Sequence, residues 1–150
     1  MPALDFINKT AETTADVSAG LTASTAAINL GKSALSKGEG VTVLVTEASA
    51  ANFNTTNARS LRFYFEYTTD NGTIWRRAGV NDGVISAAGI PIQQLWIPVE
   101  HDIPNENFTA SDIDWRITAD WEEALATTDD FNFQGYLGNQ DIGGRSLLLG

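Results

Sequence analysis

Apolar residues recur along this chain with a period of two, in short runs separated by polar turn residues. Val41, Val43 and Val45 alternate with Thr42, Leu44 and Thr46, and Leu61, Phe63, Phe65 and Tyr67 alternate with Arg62, Tyr64 and Glu66. Ile113, Trp115, Ile117, Ala119 and Trp121 alternate with Asp114, Arg116, Thr118 and Asp120, and Phe131, Phe133 and Leu137 repeat the pattern. Side chains of an extended strand point to opposite faces in turn, so each run predicts a strand with one buried face. Residues 90–99 are largely apolar but contain Pro91 and Pro98. Proline cannot donate to a ladder, so the ends of this run read as edge or loop. Many short alternating segments bounded by Gly, Asn, Asp and Pro predict an all-β fold, an antiparallel β-sandwich or barrel. Helical signals are confined to a weak short helix at residues 10–18 and one turn at 121–126.

The densest run is FYFEYTTDNGTIW, residues 63–75. Asn71-Gly72 suits a type I′ turn, whose two central residues both need φ > 0. Strand 61–67 then leads through a tight or bulged loop into residues 74–77, with Phe63, Phe65 and Trp75 buried on one side. Trp115, Ile117 and Trp121 share an apolar face and read as core, not as a sugar-stacking platform. Trp96, within Leu95-Trp96-Ile97, is the tryptophan best placed to be exposed.

Residues 1–25 are rich in Ala, Thr and Ser, with Leu4, Phe6 and Ile7 as early large apolar side chains. Too little apolar surface is available there for independent folding, so the segment reads as an extended N-terminal arm, and residues 26–150 as the β-sandwich domain. Leu4, Phe6 and Ile7 lack a home in such an arm and become candidate interface residues, together with Trp96. Leu147, Leu148 and Leu149 are expected to close the sandwich.

Length and charge narrow the functional classes. A chain of 150 residues fits one domain, and that size buries roughly 68–70% of its unfolded surface. Cysteine is absent, which removes disulfide and thiolate chemistry. Nineteen acidic against nine basic residues give a net charge of −10, a field that repels nucleic acid and anionic lipid. The opening MPALDFINKTAETTADVSAG has neither a basic n-region nor a signal-length apolar run, and no stretch approaches the ~20 apolar residues of a membrane helix. The sequons at Asn8, Asn54, Asn71 and Asn107 therefore read as by-products of composition, in a protein made in the cytoplasm.

Tests for chemistry come out negative. LGKSALSKG lacks a phosphate loop's first glycine, whose place is taken by Ala26. His101 stands alone between Glu100 and Asp102, and neighbours on an extended chain cannot converge on one centre. No Gly-x-Ser-x-Gly elbow is present. Asp112 and Asp114 lack the glycine and terminal Glu of a calcium loop, although a weak calcium contact on that loop stays open. The expectation is no catalytic residue, no metal and no cofactor.

Three stretches, STAAINLG (24–31), GEGVTVLVTEAS (38–49) and LRFYFEYTTDNGTIWRRAG (61–79), together resemble the small jelly-roll cement, or decoration, proteins of tailed-phage capsids. The likeness covers about the first half of the domain, and residues beyond Val80 do not match. It implies a jelly roll on the outside of an assembled capsid, made in the host cytoplasm and tying major capsid protein subunits together. Self-association as a dimer or trimer is expected with it, and the charge and apolar pattern add the expectation of no nucleic-acid or membrane partner; the structural role needs no enzymatic activity. The alternatives are a tail or head-fibre module, or a carbohydrate-binding sandwich using Trp96.

Overall fold

The computed structural model describes residues 8–15, 22–47, 59–85, 92–103, 113–121 and 131–139. Within them lie β1 (Thr13–Ala15), β2 (Thr22–Ser24), β3 (Ile28–Asn29), β4 (Glu39–Glu47), β5 (Arg59–Thr68), β6 (Arg76–Ile85), β7 (Ile92–Pro98), β8 (Asp114–Trp121) and β9 (Phe131–Asn139). One sheet runs β1-β9-β4-β7; the other runs β2-β8-β5-β6, with β3 also against β8. All these pairings are antiparallel.

The pairings reduce to one operation on the chain. β2 and β3 are a single interrupted strand: between them the Thr25 N–H donates to Ile117 O at 2.9 Å, and the Ile117 N–H donates to Thr25 Oγ1 at 3.0 Å. Counted so, β1·β9, β2/β3·β8, β4·β7 and β5·β6 are the rungs of one long hairpin. Rolling it up adds β9·β4 and β8·β5 and lays two sheets face to face. That wrapped order is a jelly roll.

The alternating apolar positions fill the space between the sheets. Val41, Val43, Val45, Phe63, Phe65, Ile113, Trp115, Ile117, Ala119, Phe131, Phe133 and Leu137 are all buried in one cluster. Phe63 meets Phe131 and Phe133 edge-on at 6.2 and 5.9 Å, and Phe65 meets Trp115 at 5.5 Å. Such edge-to-face pairs stabilise by about 0.5–1.5 kcal/mol beyond the area they bury. A Cβ at Gly135 would lie 2.6 Å from Ile117 Cγ1, so the larger side chains of β8 occupy space that a residue on β9 leaves open. The Trp121 side chain lies outside the described residues.

β6 and β7 each lie at one edge of their sheet, as the prolines of the β7 run predict for that segment. Their edges meet in a seam. After Pro98, the Val99 N–H donates to Glu39 O at 2.8 Å and the Glu100 N–H to Ala78 O at 2.9 Å, so the chain ties to one sheet and then the other. Asn81 Nδ2 adds a bond to Trp96 O at 2.7 Å. A Cβ on Gly79 would sit 2.0 Å from Pro98 O, which makes glycine a condition of this approach.

Three expectations are corrected. The described parts of residues 1–25 are not an arm: β1 and β2 are strands of the two sheets, Ala15 is in the core, and Thr10 and Thr25 are buried. The Thr10 N–H donates to Gly135 O, and the Gly135 N–H donates to Thr10 Oγ1, both at 2.9 Å. Residues 10–18 form no helix where described, because ladder bonds to β9 claim their backbone. The hairpin tip falls where expected, with its strands ending at Thr68 and resuming at Arg76, within two residues of the expected bounds. A register shift between Phe65 and Glu66 accompanies this, and Trp75 is half-buried outside the core.

Candidate interaction surfaces

The outward positions of β5 and β8 place Arg62, Tyr64 and Glu66 beside Asp120, Thr118 and Arg116. Glu66 Oε1 accepts from Arg116 Nε at 3.0 Å and from the Thr118 hydroxyl at 2.5 Å. Ser24 and Thr118 hydroxyls are bonded at 2.8 Å, which extends the network to β2. The Arg116 guanidinium lies 4.0 Å from the Trp75 ring centroid, and that of Arg77 lies 3.9 Å from Tyr64. Cations over aromatic faces contribute about 0.5–1 kcal/mol at exposed sites. Tyr64 is buried although it occupies an outward position. The face is thus pre-ordered across three strands and rich in Arg, Trp and Tyr, the residue types enriched at interface hot spots.

On the opposite outer face, Thr42 stands between Trp96 of β7 and Tyr136 of β9. Trp96 is half-buried, not exposed, and its ring lies over the neighbouring strand: a Cβ on Gly40 would come within 2.8 Å of Trp96 Cζ2. Its Nε1 is buried without an acceptor among the described residues. Burial, and secondarily the charge of Glu12, pushes the Tyr136 phenol above its ordinary pKa.

A cavity of about 240 Å³ at one end of the sandwich is lined by Leu30, Gly31, Lys32, Glu39, Leu137 and others. Lys32 and Glu39 form an ion pair in its wall. Partial burial lowers the Lys32 pKa, and Glu39 Oε1 also accepts the Ser36 N–H at 2.9 Å. The pair ties the start of β4 to the loop after β3, with no phosphate-loop geometry around Lys32.

Among the residues singled out in the sequence, Asn71 and Gly72 occupy the hairpin tip with φ of 63° and 90°. The Thr73 N–H reaches Asp70 O at 3.4 Å, as the expected turn requires. Leu4, Phe6, Ile7, Asp112 and Leu147–Leu149 lie outside the described residues. His101 is exposed, and Asp102 Oδ1 accepts the Lys37 N–H at 2.8 Å. Among the described residues no group of three His, Cys, Asp or Glu side chains is arranged to hold a metal, and no helix is long and apolar enough to cross a membrane. The Glu66–Arg116–Trp75 network has no signature in the sequence. Glu66 and Arg116 belong to the polar half of the alternation and only the β5·β8 register brings them together, while Trp75 reaches Arg116 from the loop before β6.

No family model matches the chain, and no curated protein matches it. Solved structures similar to it include an arabinose-bound α-L-arabinofuranosidase, with TM-score 0.48 and 13% identity over 83% of this chain and 18% of that one. A chain of the infectious bursal disease virus Gt strain has TM-score 0.46 and 14% identity over 91% of this chain and 29% of that one. A family 11 carbohydrate-binding module from Clostridium thermocellum, in complex with a mixed-linked tetrasaccharide, has TM-score 0.41 and 14% identity over 79% and 69%. The chain spans less than a third of the first two proteins.

Proposed function

We propose that the chain is a non-enzymatic structural component of a virion, a cement protein. It binds the outer surface of an assembled tailed-phage capsid and bridges major capsid protein subunits. One observation carries this reading: the three stretches that resemble cement proteins fall on strands of both sheets of one jelly-roll sandwich. Residues 24–31 cover the end of β2 and all of β3, residues 38–49 cover β4, and residues 61–79 run from β5 through the Asn71-Gly72 tip into β6. A ligand that binds only the assembled lattice stabilises it by linkage, and a rigid sandwich gives a fixed span between contacts. Leu4, Phe6, Ile7 and Trp96 are the proposed contact residues, and a homodimer or homotrimer adds avidity. This reading assigns no cofactor, nucleic-acid or membrane partner, and locates the protein on the capsid exterior.

The carbohydrate reading is weaker on the same surfaces. A sugar needs an open aromatic face, but Trp75 carries Arg116, Tyr64 carries Arg77, and Trp96 is half-buried beside Gly40. The test is sedimentation of the purified chain with heads assembled from the major capsid protein of its own genome, alongside the unassembled subunit. The expected result is saturable binding to the heads and none to the subunit. Failure to bind the heads, or tight binding to a glycan panel instead, overturns the reading.

A further inference from the structure

We propose that Asn71 is a site of spontaneous backbone modification, deamidation through a cyclic imide, and that Thr68 holds this reaction off in the folded protein. The inference is independent of the proposed function. An Asn-Gly pair is chemically exposed because glycine has no side chain to shield its nitrogen. The Gly72 nitrogen, losing its proton to a base in solvent, attacks Asn71 Cγ. The Cγ–Nδ2 bond breaks and ammonia leaves, giving a five-membered imide. Water then opens either carbonyl to leave aspartate or isoaspartate at position 71. Both residues are exposed at the tip, so solvent and base have access.

Two features of the fold oppose the attack. Asn71 has φ of 63°, in the left-handed region, where ψ is about +30 to +60°. At that ψ the Asn71 Cβ and the Gly72 nitrogen lie on nearly opposite sides of the Cα–C bond, whereas ring closure needs them on the same side. The second feature is Thr68, itself 1% exposed. Its hydroxyl donates to Asp70 Oδ1 at 2.8 Å, which leaves its lone pairs for the Gly72 N–H at 3.0 Å and the Asp70 N–H at 3.4 Å. A bond to the protonated nitrogen disfavours its deprotonation. It also fixes the Asn71–Gly72 peptide plane, so rotation about ψ must break it first. Asp70 Oδ1, accepting the Ile74 N–H at 2.9 Å, holds the far side of the loop in the same position. Reaction therefore requires local opening of the tip.

The test ages the full-length chain in mildly alkaline buffer and measures isoaspartate in the tryptic peptide 63–76 by mass spectrometry. Wild type is expected to react far more slowly than the same chain in denaturant. Thr68→Val, which removes the acceptor, is expected to react roughly two- to tenfold faster than wild type, the factor one neutral hydrogen bond represents. Thr68→Ser, which keeps the oxygen, is expected to stay near the wild-type rate. Equal rates for native and denatured wild type overturn the proposal, as does a folded Thr68→Val that ages like wild type. Amide exchange at Gly72 gives a check that needs no variant: protection is expected, and exchange at the unstructured rate refutes the Thr68 lock even if Thr68→Val does not fold.

Discussion

Asp70 organises the β5–β6 tip with one carboxylate. Oδ1 takes the Thr68 hydroxyl and the Ile74 N–H, and its backbone carbonyl takes the Thr73 hydroxyl at 3.1 Å. The Ile74 N–H first, then the Thr68 hydroxyl, hold the Asp70 pKa below its ordinary value, because both favour the charged form. A depressed folded-state pKa means the contribution is present above the unfolded pKa and lost as pH falls through the folded one. Asp70→Asn is therefore expected to melt below wild type at neutral pH. The gap should close as the solution is acidified through and below the carboxylate range. A gap that does not change with pH would show that the charge contributes nothing. In the core, Trp115 is fully buried beneath Phe65, and Trp115→Ala is expected to cost about 3–5 kcal/mol in denaturant unfolding.

At the scale of elements, the glycines separate steric from conformational demands. Gly79→Ala would drive a Cβ to 2.0 Å from Pro98 O, a backbone atom that cannot swing aside. Destabilisation of about 1–3 kcal/mol, with the β6–β7 seam opening first in amide exchange, is expected. Gly38 has φ of +102° and nothing within 4 Å, so Gly38→Ala carries backbone strain alone and serves as the comparison. A Gly79→Ala protein that unfolds like wild type would show the seam to be easily displaced. The strands β4, β5, β8 and β9 were legible in the sequence because each carries a run of apolar residues at alternate positions, and a period of two survives whatever the strand pairs with. β1 and β2 were not. Ala15 and Thr10 are buried, but an alanine and a threonine give no hydrophobic contrast, and the Thr10 hydroxyl earns its place by bonding the Gly135 N–H. Partners more than a hundred residues away supply that ladder, and no local window contains them. Asn71 and Gly72 were readable because positive φ is a property of the residues themselves. The Thr68 and Asp70 side-chain bonds that hold their loop were not, since they depend on its folded geometry.

Taken whole, the molecule joins a sandwich closed by long-range ladders to a formal charge of −10. Leu4, Phe6 and Ile7 precede the first ladder contact, at residues 8–10 against Gly135–Leu137, by only a few positions. Burying large apolar side chains of this kind is worth roughly 1.5–3 kcal/mol each, enough for two or three to decide attachment to a repeating lattice. Two truncations separate that role from folding. Deleting residues 1–7 leaves Thr10 and Ala15 in place, so the melting temperature is expected to stay close to wild type while occupancy of assembled heads falls. Deleting residues 1–15 also removes Thr10, both its 2.9 Å bonds to Gly135, and the β1·β9 pairing. That chain is expected to melt well below wild type or fail to fold. Melting measured by circular dichroism and occupancy by quantitative gel of purified heads give the two readouts. If the shorter deletion occupies heads as fully as wild type, the attachment role of Leu4, Phe6 and Ile7 is wrong, and Trp96 and the Arg-rich outer face become the surfaces to mutate next.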